Sequence, residues 1–338
     1  MRITVLRTFS NSCDPIYEPL RALGHVVRPI VYDVANIRGP EREMVSNGLT
    51  ANGNEIVTDF GSLPSRINGH NPDCVVMIGC CDAGGALMPD VNVLKAIGEH
   101  RPMILICCDG SETDWWPQLE RYHDSRAFAL QVNIDGVKVG PIGEWGLTTL
   151  CPVSDEFFID TPWDQRDVSL GFCGSFQYED PVGPGTITHP RGPWVRQLVQ
   201  AGLVNVRERD GDASPRGYRE YLSRCRCVWN HAATGSGDRM HVKARVLEVA
   251  LAGALLLETE GSPTRDWFKL CNDYVEYKDV WHVKSLVEYV DQFPQEAEAM
   301  AKSLQRKVHE QHSPAAFWKK VFQKVDEPWR VRHGFVAV

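Results

Sequence analysis

Two runs constrain this chain more than any others: Cys74-Val75-Val76-Met77-Ile78 and Met103-Ile104-Leu105-Ile106-Cys107-Cys108. Neither alternates apolar with polar residues, so neither face of such a strand can meet water. Strands buried on both faces belong inside a parallel sheet covered by helices, and such sheets are built from strand–helix–strand units. The neighbouring sequence fits that scheme. Residues 3–6 read as a strand, 14–23 as a helix closed by Gly24, 25–30 as a second strand, and 91–100 as a helix between the two apolar runs. Residues 34–70 are rich in Gly, Asn and Pro and read as no regular element.

The second half repeats the style. Val168-Ser169-Leu170-Gly171-Phe172-Cys173 is a strand followed by Gly174-Ser175, and 177–193, with its prolines and glycines, is a long loop. Helices are predicted at 194–201, 218–224, 242–252, 281–293, 294–312 and 314–324, and strands at 204–206, 227–230 and 254–257. A chain of 338 residues has room for two domains. The expected fold class is therefore α/β, with two Rossmann-like open parallel sheets facing across a cleft. The expected domains are 1–160, 161–315, and a C-terminal helix and tail, 316–338, crossing back to the first domain. In such sheets ligands bind beyond the carboxyl ends of the strands.

Composition narrows the class. Hydrophobic residues make up 43% and charged residues 24%, which excludes global disorder. No apolar run approaches the roughly 20 residues that span a bilayer. The N-terminal MRITVLR enters a strand directly, so no secretory signal is expected and the location expected is cytoplasmic. The eleven cysteines, mostly inside apolar runs, read as reduced and buried. A zinc site would want C-x-x-C spacing, and only Cys225-x-Cys227 comes near it. Residues 1–165 hold 12 basic against 22 acidic residues, while 191–245 hold 11 basic against 5 acidic. The acidic first half argues against tight non-specific DNA binding.

The basic segment runs into the most informative stretch, NHAATGSGDRMHVKARVLEVALAGALLLETEG, residues 230–261. A strand ends at Asn230. A loop holding Gly235, Ser236 and Gly237 follows, and a helix begins near His241 carrying Lys243, Arg245 and Glu248. A loop feeding a helix N-terminus offers backbone N–H groups and the positive end of the helix dipole, which suits a phosphate. Lys243 and Arg245 add full charges, and Glu248 suits paired sugar hydroxyls. The bland alternative is a surface helix with an Arg245–Glu248 ion pair at i, i+3. There is no P-loop, no G-x-S-x-G elbow, and no G-x-G-x-x-G after the first strand.

At these residues the chain resembles a family. Val242–Ala250 followed by Ala252-Gly253-Ala254-Leu255-Leu256-Leu257 looks like the donor-site helix and strand of GT-B glycosyltransferases, closest to the CgeB-like (spore maturation protein) branch. Phe172-Cys173-Gly174-Ser175, Asp273-Tyr274-Val275-Glu276-Tyr277 and the 309–318 segment resemble further family patterns in the right order. The resemblance covers about 168–322; over 1–150 it is architectural only. It implies a glycosyltransferase that takes a nucleotide sugar, UDP- or GDP-linked, as co-substrate, with no other cofactor and no metal. By position, Glu248 matches the ribose-binding glutamate, Lys243 and Arg245 fall where cations neutralise the diphosphate, and Gly174-Ser175 approach it as a backbone turn. Asn230, Gly235, Ser236, Gly237 and His241 complete the candidate donor contacts. The family often carries a second glutamate eight residues before this one; here Met240 stands there, which leaves the stereochemistry open.

The acceptor stays open between a small molecule, a glycan, a protein and a hydroxymethylated nucleic-acid base, and so does the oligomeric state. A base on the acceptor side is sought at strand ends of the first domain, where Asp82 and Asp109 follow the two apolar runs. Each has the alternative of capping the next helix. Glu112, Asp114, Trp115 and Trp116 share the second loop. The rival functions are a sugar-nucleotide epimerase or phosphorylase on the same fold, and a non-catalytic sugar-nucleotide binding protein.

Overall fold

The computed structural model describes residues 1–7, 14–32, 55–57, 59–79, 89–138, 140–174, 190–207 and 215–325. The chain divides into two units, Met1–Pro152 with Pro314–Val338, and Val153–Ser313.

The first unit holds seven strands: β1 (Arg2–Arg7), β2 (Val26–Val31), β3 (Glu55–Ile56), β4 (Cys74–Gly79), β5 (Met103–Cys107), β6 (Leu130–Asn133) and β7 (Leu147–Thr148). All pair in parallel, in the order β3-β2-β1-β4-β5-β6-β7. The two apolar runs are its central strands, and their pleat feeds two cores. Val76, Ile78, Ile104 and Ile106 enter one with Val5; Val75, Met77, Met103 and Leu105 enter the other with Leu6. The helix Pro314–Lys324 seals the first core with Phe317, Trp318, Val321 and Phe322, and Trp318 Nε1 donates to the Ile16 carbonyl at 2.8 Å.

Three expectations for this unit change. The helix over 14–23 is two short ones, Asp14–Tyr17 and Pro19–Ala22, because Pro19 has no N–H to continue the ladder. A helix, Leu63–His70, lies inside the stretch that read as irregular: its Pro64 sits in the first turn and its Asn71 closes it at φ 46°, so both mark helix ends. The helix Trp116–Ser125 and β6 lie where no element was predicted; in β6 the buried polar Gln131 and Asn133 hide the apolar pattern.

The second unit holds β8 (Val168–Phe172), β9 (Asn205–Val206), β10 (Cys225–Trp229), β11 (Leu255–Thr259) and β12 (Val275–Tyr277), all parallel, in the order β12-β11-β10-β8-β9. The chain steps outward from β8 to β9, then returns to lay β10 on the other side of β8. Connections leaving β8 and β10 therefore diverge, and their carboxyl ends form a topological switch point, where open α/β sheets hold ligands. The helix Ala244–Leu251 starts two residues later than predicted; Lys243 is its N-cap in extended backbone, φ −73°, ψ 151°.

One buried cation ties this unit together. Arg166 Nη1 donates to the Cys225 carbonyl at 2.7 Å and the Leu222 carbonyl at 3.4 Å, and Nη2 donates to the Ala252 carbonyl at 2.7 Å. Leu222 and Ala252 lie at the C-terminal ends of two helices, Pro215–Arg224 and Ala244–Leu251, where orphan carbonyls attract a cation. Gly253, at φ 66°, leaves the guanidinium its space: a Cβ there would stand 3.2 Å from Nη2.

No disulfide joins two described cysteines, and burial pushes the Cys74, Cys225 and Cys227 thiols up, so these three are unreactive. Among the described residues no helix is long and apolar enough to cross a membrane.

Candidate functional site

The β8 and β10 ends of the second unit bring together several of the expected residues. Gly174 follows β8, and a Cβ on it would stand 3.0 and 3.1 Å from the two terminal nitrogens of Arg245. The glycine thus lets the guanidinium lie against the β8 exit. The same guanidinium stacks over the Phe172 ring, 5.7 Å from its centroid. Glu248, one turn along the helix, accepts a hydrogen bond from Tyr218 Oη at 2.8 Å. The hydrogen bond that orients the carboxylate thus comes from a tyrosine of the Pro215–Arg224 helix, not from Arg245 as in the bland alternative of a surface i, i+3 ion pair. Burial raises the Glu248 pKa, against the pull of the Arg245 charge and the Tyr218 hydrogen bond. Arg207, after β9, stacks over the Tyr218 ring at 5.6 Å and points Nη1 at Cys173 Sγ, 3.6 Å away.

The glycine–serine loop is organised differently from the expectation. Ala233 and Met240 form an antiparallel bridge, and Thr234 N–H donates to the Arg239 carbonyl at 2.9 Å. Thr234 Oγ1 donates to Asp238 Oδ1 at 3.1 Å, and Ser236 Oγ donates to the same carboxylate oxygen. Gly235, Ser236 and Gly237 are the exposed tip of a tied hairpin, separated from the helix by His241-Val242-Lys243. The loop therefore does not run straight into the helix N-terminus. His241 is buried, its N–H on the Ala232 carbonyl at 3.0 Å.

Asn230 lies in a buried network that the sequence reading did not find. Its Nδ2 donates to Glu258 Oε2 at 2.8 Å; Glu258 also accepts from Thr259 N–H at 2.8 Å and Thr264 Oγ1 at 3.3 Å. Tyr277 Oη donates to the Asn230 carbonyl at 2.9 Å, and His231 Nδ1 lies 3.0 Å from Thr259 Oγ1. Asn230 and Glu258 are fully buried, so they brace the strand ends from beneath. Burial, then the charges of Lys243 and Arg191, push the His231 pKa down to about 4 and keep it neutral.

Burial pushes the Glu258 pKa up to about 7, against its hydrogen bonds from Asn230, Thr259 and Thr264. The unfolded chain releases this proton in the ordinary glutamate range, whereas the fold keeps it until about 7. Stability is therefore expected to fall by roughly 3 kcal/mol as pH rises across that window, and to level off above it. Glu258→Gln, with Asn230 flipping its amide to accept, is expected to flatten the slope and to melt higher than wild type at pH 8. Urea midpoints at pH 5 and pH 8 check it; equal slopes for both proteins would contradict it.

In the first unit Asp109 follows β5 at φ 57°, exposed. Its N–H donates to Asp135 Oδ1 at 3.1 Å, and Ser111 N–H donates to Asp135 Oδ2 at 2.8 Å. Asp109 does not cap the next helix, whose N-cap is Trp115. Both tryptophans pack against the core, and Trp116 Nε1 donates to the Gly110 carbonyl at 3.2 Å, so Trp116 is a structural brace. Asp82 and Ser175 lie outside the described residues. Within either unit, among the described residues, no three His, Cys, Asp or Glu side chains lie close enough together to hold a metal ion.

Residues 173–323 match a family model described as glycosyl transferase-like, so the match falls on the β8 exit, the cationic helix and the Glu258 network. No curated protein matches the chain by sequence. Among solved structures, Anabaena HepE in complex with UDP superposes with a TM-score of 0.62 at 10% identity, covering 96% of this chain and 99% of that one. A glycosyltransferase from Rickettsia africae gives 0.60 at 9% identity, covering 98% of each chain. A UDP-GlcNAc 2-epimerase from Neisseria meningitidis bound to UDP-GlcNAc gives 0.53 at 11% identity, covering 96% and 99%. The two parallel α/β sheets are thus those of the GT-B fold; at such identities the likeness is one of fold.

Proposed function

We propose that this protein is a glycosyltransferase that moves a sugar from a nucleotide-sugar donor, UDP-linked in the first instance, to a hydroxyl acceptor. The observation that carries the reading is the gathering, at one switch point, of Lys243 at a helix N-cap, Arg245 against Gly174, and a Glu248 carboxylate held by Tyr218. Cleaving the bond between the anomeric carbon and the diphosphate leaves the electron pair on the diphosphate oxygen and positive charge on the sugar. Fixed cations aimed at the leaving oxygens lower that barrier. Lys243 and Arg245 take the diphosphate, Glu248 takes the ribose hydroxyls, and Asp109 is the candidate base that removes the acceptor's proton. With the leaving charge met by side chains, transfer runs without added divalent metal.

A thermal-shift panel of UDP- and GDP-sugars, with and without magnesium, tests the donor site. One nucleotide family is expected to stabilise the protein equally with and without the metal, and Lys243→Ala and Glu248→Ala are expected to abolish the shift. Equal shifts in wild type and both variants would remove the assignment. Because the epimerase shares the fold, product analysis without acceptor separates the two chemistries: epimerised donor would favour that second reading, and unchanged donor the first.

A further inference from the structure

One hydroxyl in the candidate site belongs neither to the cationic helix nor to a strand end. Tyr218 Oη donates to Glu248 Oε2 at 2.8 Å, although the two residues lie 30 positions apart in the chain. The tyrosine ring is held from two directions. Phe157 packs edge-on against it with centroids 5.7 Å apart, and the Arg207 guanidinium lies over it, 5.6 Å from the centroid. The next residue of the Pro215–Arg224 helix meets the same 155–157 turn: Arg219 pairs with Glu156 Oε2 at 2.5 Å and lies over the Phe157 ring at 5.9 Å. A ring clamped in this way has little freedom left to lose, so its hydroxyl is placed before any ligand arrives.

We infer that Tyr218 is a positioning residue that keeps Glu248 turned toward the paired hydroxyls of a ribonucleoside, and so sets the preference of this site for ribonucleotides over 2′-deoxyribonucleotides. The inference rests on the donor-site reading above. Arg245 and Glu248 stand at i, i+3 on one helix, a spacing at which opposite charges commonly close on each other. A carboxylate closed on its own arginine would have less capacity left for a ligand, and so would the arginine. Here the orienting hydrogen bond comes from another helix and occupies Oε2 with a single proton. No other described group donates to this carboxylate, so Oε1 keeps its lone pairs for hydroxyl donors. Burial and the Glu248 charge raise the Tyr218 pKa well above its ordinary value, so the phenol stays protonated and is the donor of the pair.

Titration calorimetry with UDP and with 2′-deoxy-UDP tests this on the full chain; GDP and 2′-deoxy-GDP take their place if the thermal-shift panel selects guanosine. Wild type is expected to prefer the ribonucleotide about tenfold or more, the scale of one charge-assisted hydrogen bond. Tyr218→Phe keeps the ring and removes only the hydroxyl. It is expected to weaken the ribonucleotide more than the deoxynucleotide and to bring the preference below about threefold. Tyr218→Met, which also lacks the hydroxyl, serves if the phenylalanine variant fails to fold. A merely structural tyrosine would weaken both nucleotides alike, and an unchanged ratio would overturn the inference. Glu248→Ala separates the two layers of the argument. If that variant loses the preference while Tyr218→Phe retains it, the inference falls alone. If both variants retain it, the ribose contact of the donor site falls too, and a wild type that binds no nucleotide removes the whole donor site.

Discussion

Arg166→Ala is expected to destabilise the protein by about 3–5 kcal/mol, a large share of the margin that holds an ordinary domain folded. The guanidinium has two strong bonds, at 2.7 Å each, to the Cys225 and Ala252 carbonyls, plus a longer one to Leu222. Alanine removes all the donors at once and leaves buried carbonyls facing a cavity. Arg166→Met refills the volume without the donors and is expected to recover less than half of the loss. Arg166→Lys is no substitute, because a compact ammonium cannot span carbonyls served by the two arms of a planar fork. Urea unfolding of the full chain followed by circular dichroism measures it. A loss below about 1 kcal/mol for the alanine variant would show that the clamp is dispensable.

Arg245→Ala is expected to lower kcat/KM for the nucleotide-sugar donor by about 10²–10³, the usual effect of removing one preorganised charge from a leaving group. The loss should appear mainly in kcat, because negative charge on the diphosphate grows as the glycosidic bond breaks. Glu248→Ala should act differently. A ribose contact is made before and during the reaction alike, so the donor KM should rise with little change in kcat. Nucleotide release with saturating acceptor separates the two patterns. Arg245→Lys should rescue poorly, since both terminal nitrogens of the guanidinium lie beside Gly174 with the Phe172 ring beneath, a place a compact ammonium does not fill. Unchanged release in Arg245→Ala would place the leaving group elsewhere.

The parts of this molecule legible in its sequence are those where one physical signal dominates. Short apolar runs bounded by turn residues mark buried parallel strands, and β4, β5, β10 and β11 emerged from them to within a few residues, as did β8 despite Ser169 and Gly171. Where a strand carries buried polar groups, as Gln131 and Asn133 do in β6, the hydrophobic period vanishes and so does the strand. The site follows the same logic. Lys243, Arg245 and Glu248 fall within six residues of one another and announce themselves. Tyr218 reaches the site from another segment, and no local spacing betrays it. Glu258 carries a legible signal of its own, a carboxylate closing a buried strand, the same feature that marks Asp82 and Asp109. Ser236 and Asp238 show the converse. A Gly/Ser-rich stretch reads as open loop, yet its own hydroxyls and carboxylate tie it into a hairpin.

The central claim is that the cations after β10 hold the diphosphate of an activated sugar. A crystal structure of the UDP complex tests it most directly. The account predicts the diphosphate within hydrogen-bonding distance of Lys243 and Arg245, with the ribose hydroxyls on Glu248. Nucleotide density away from the ends of β8 and β10, with those side chains turned toward bulk water, would contradict it.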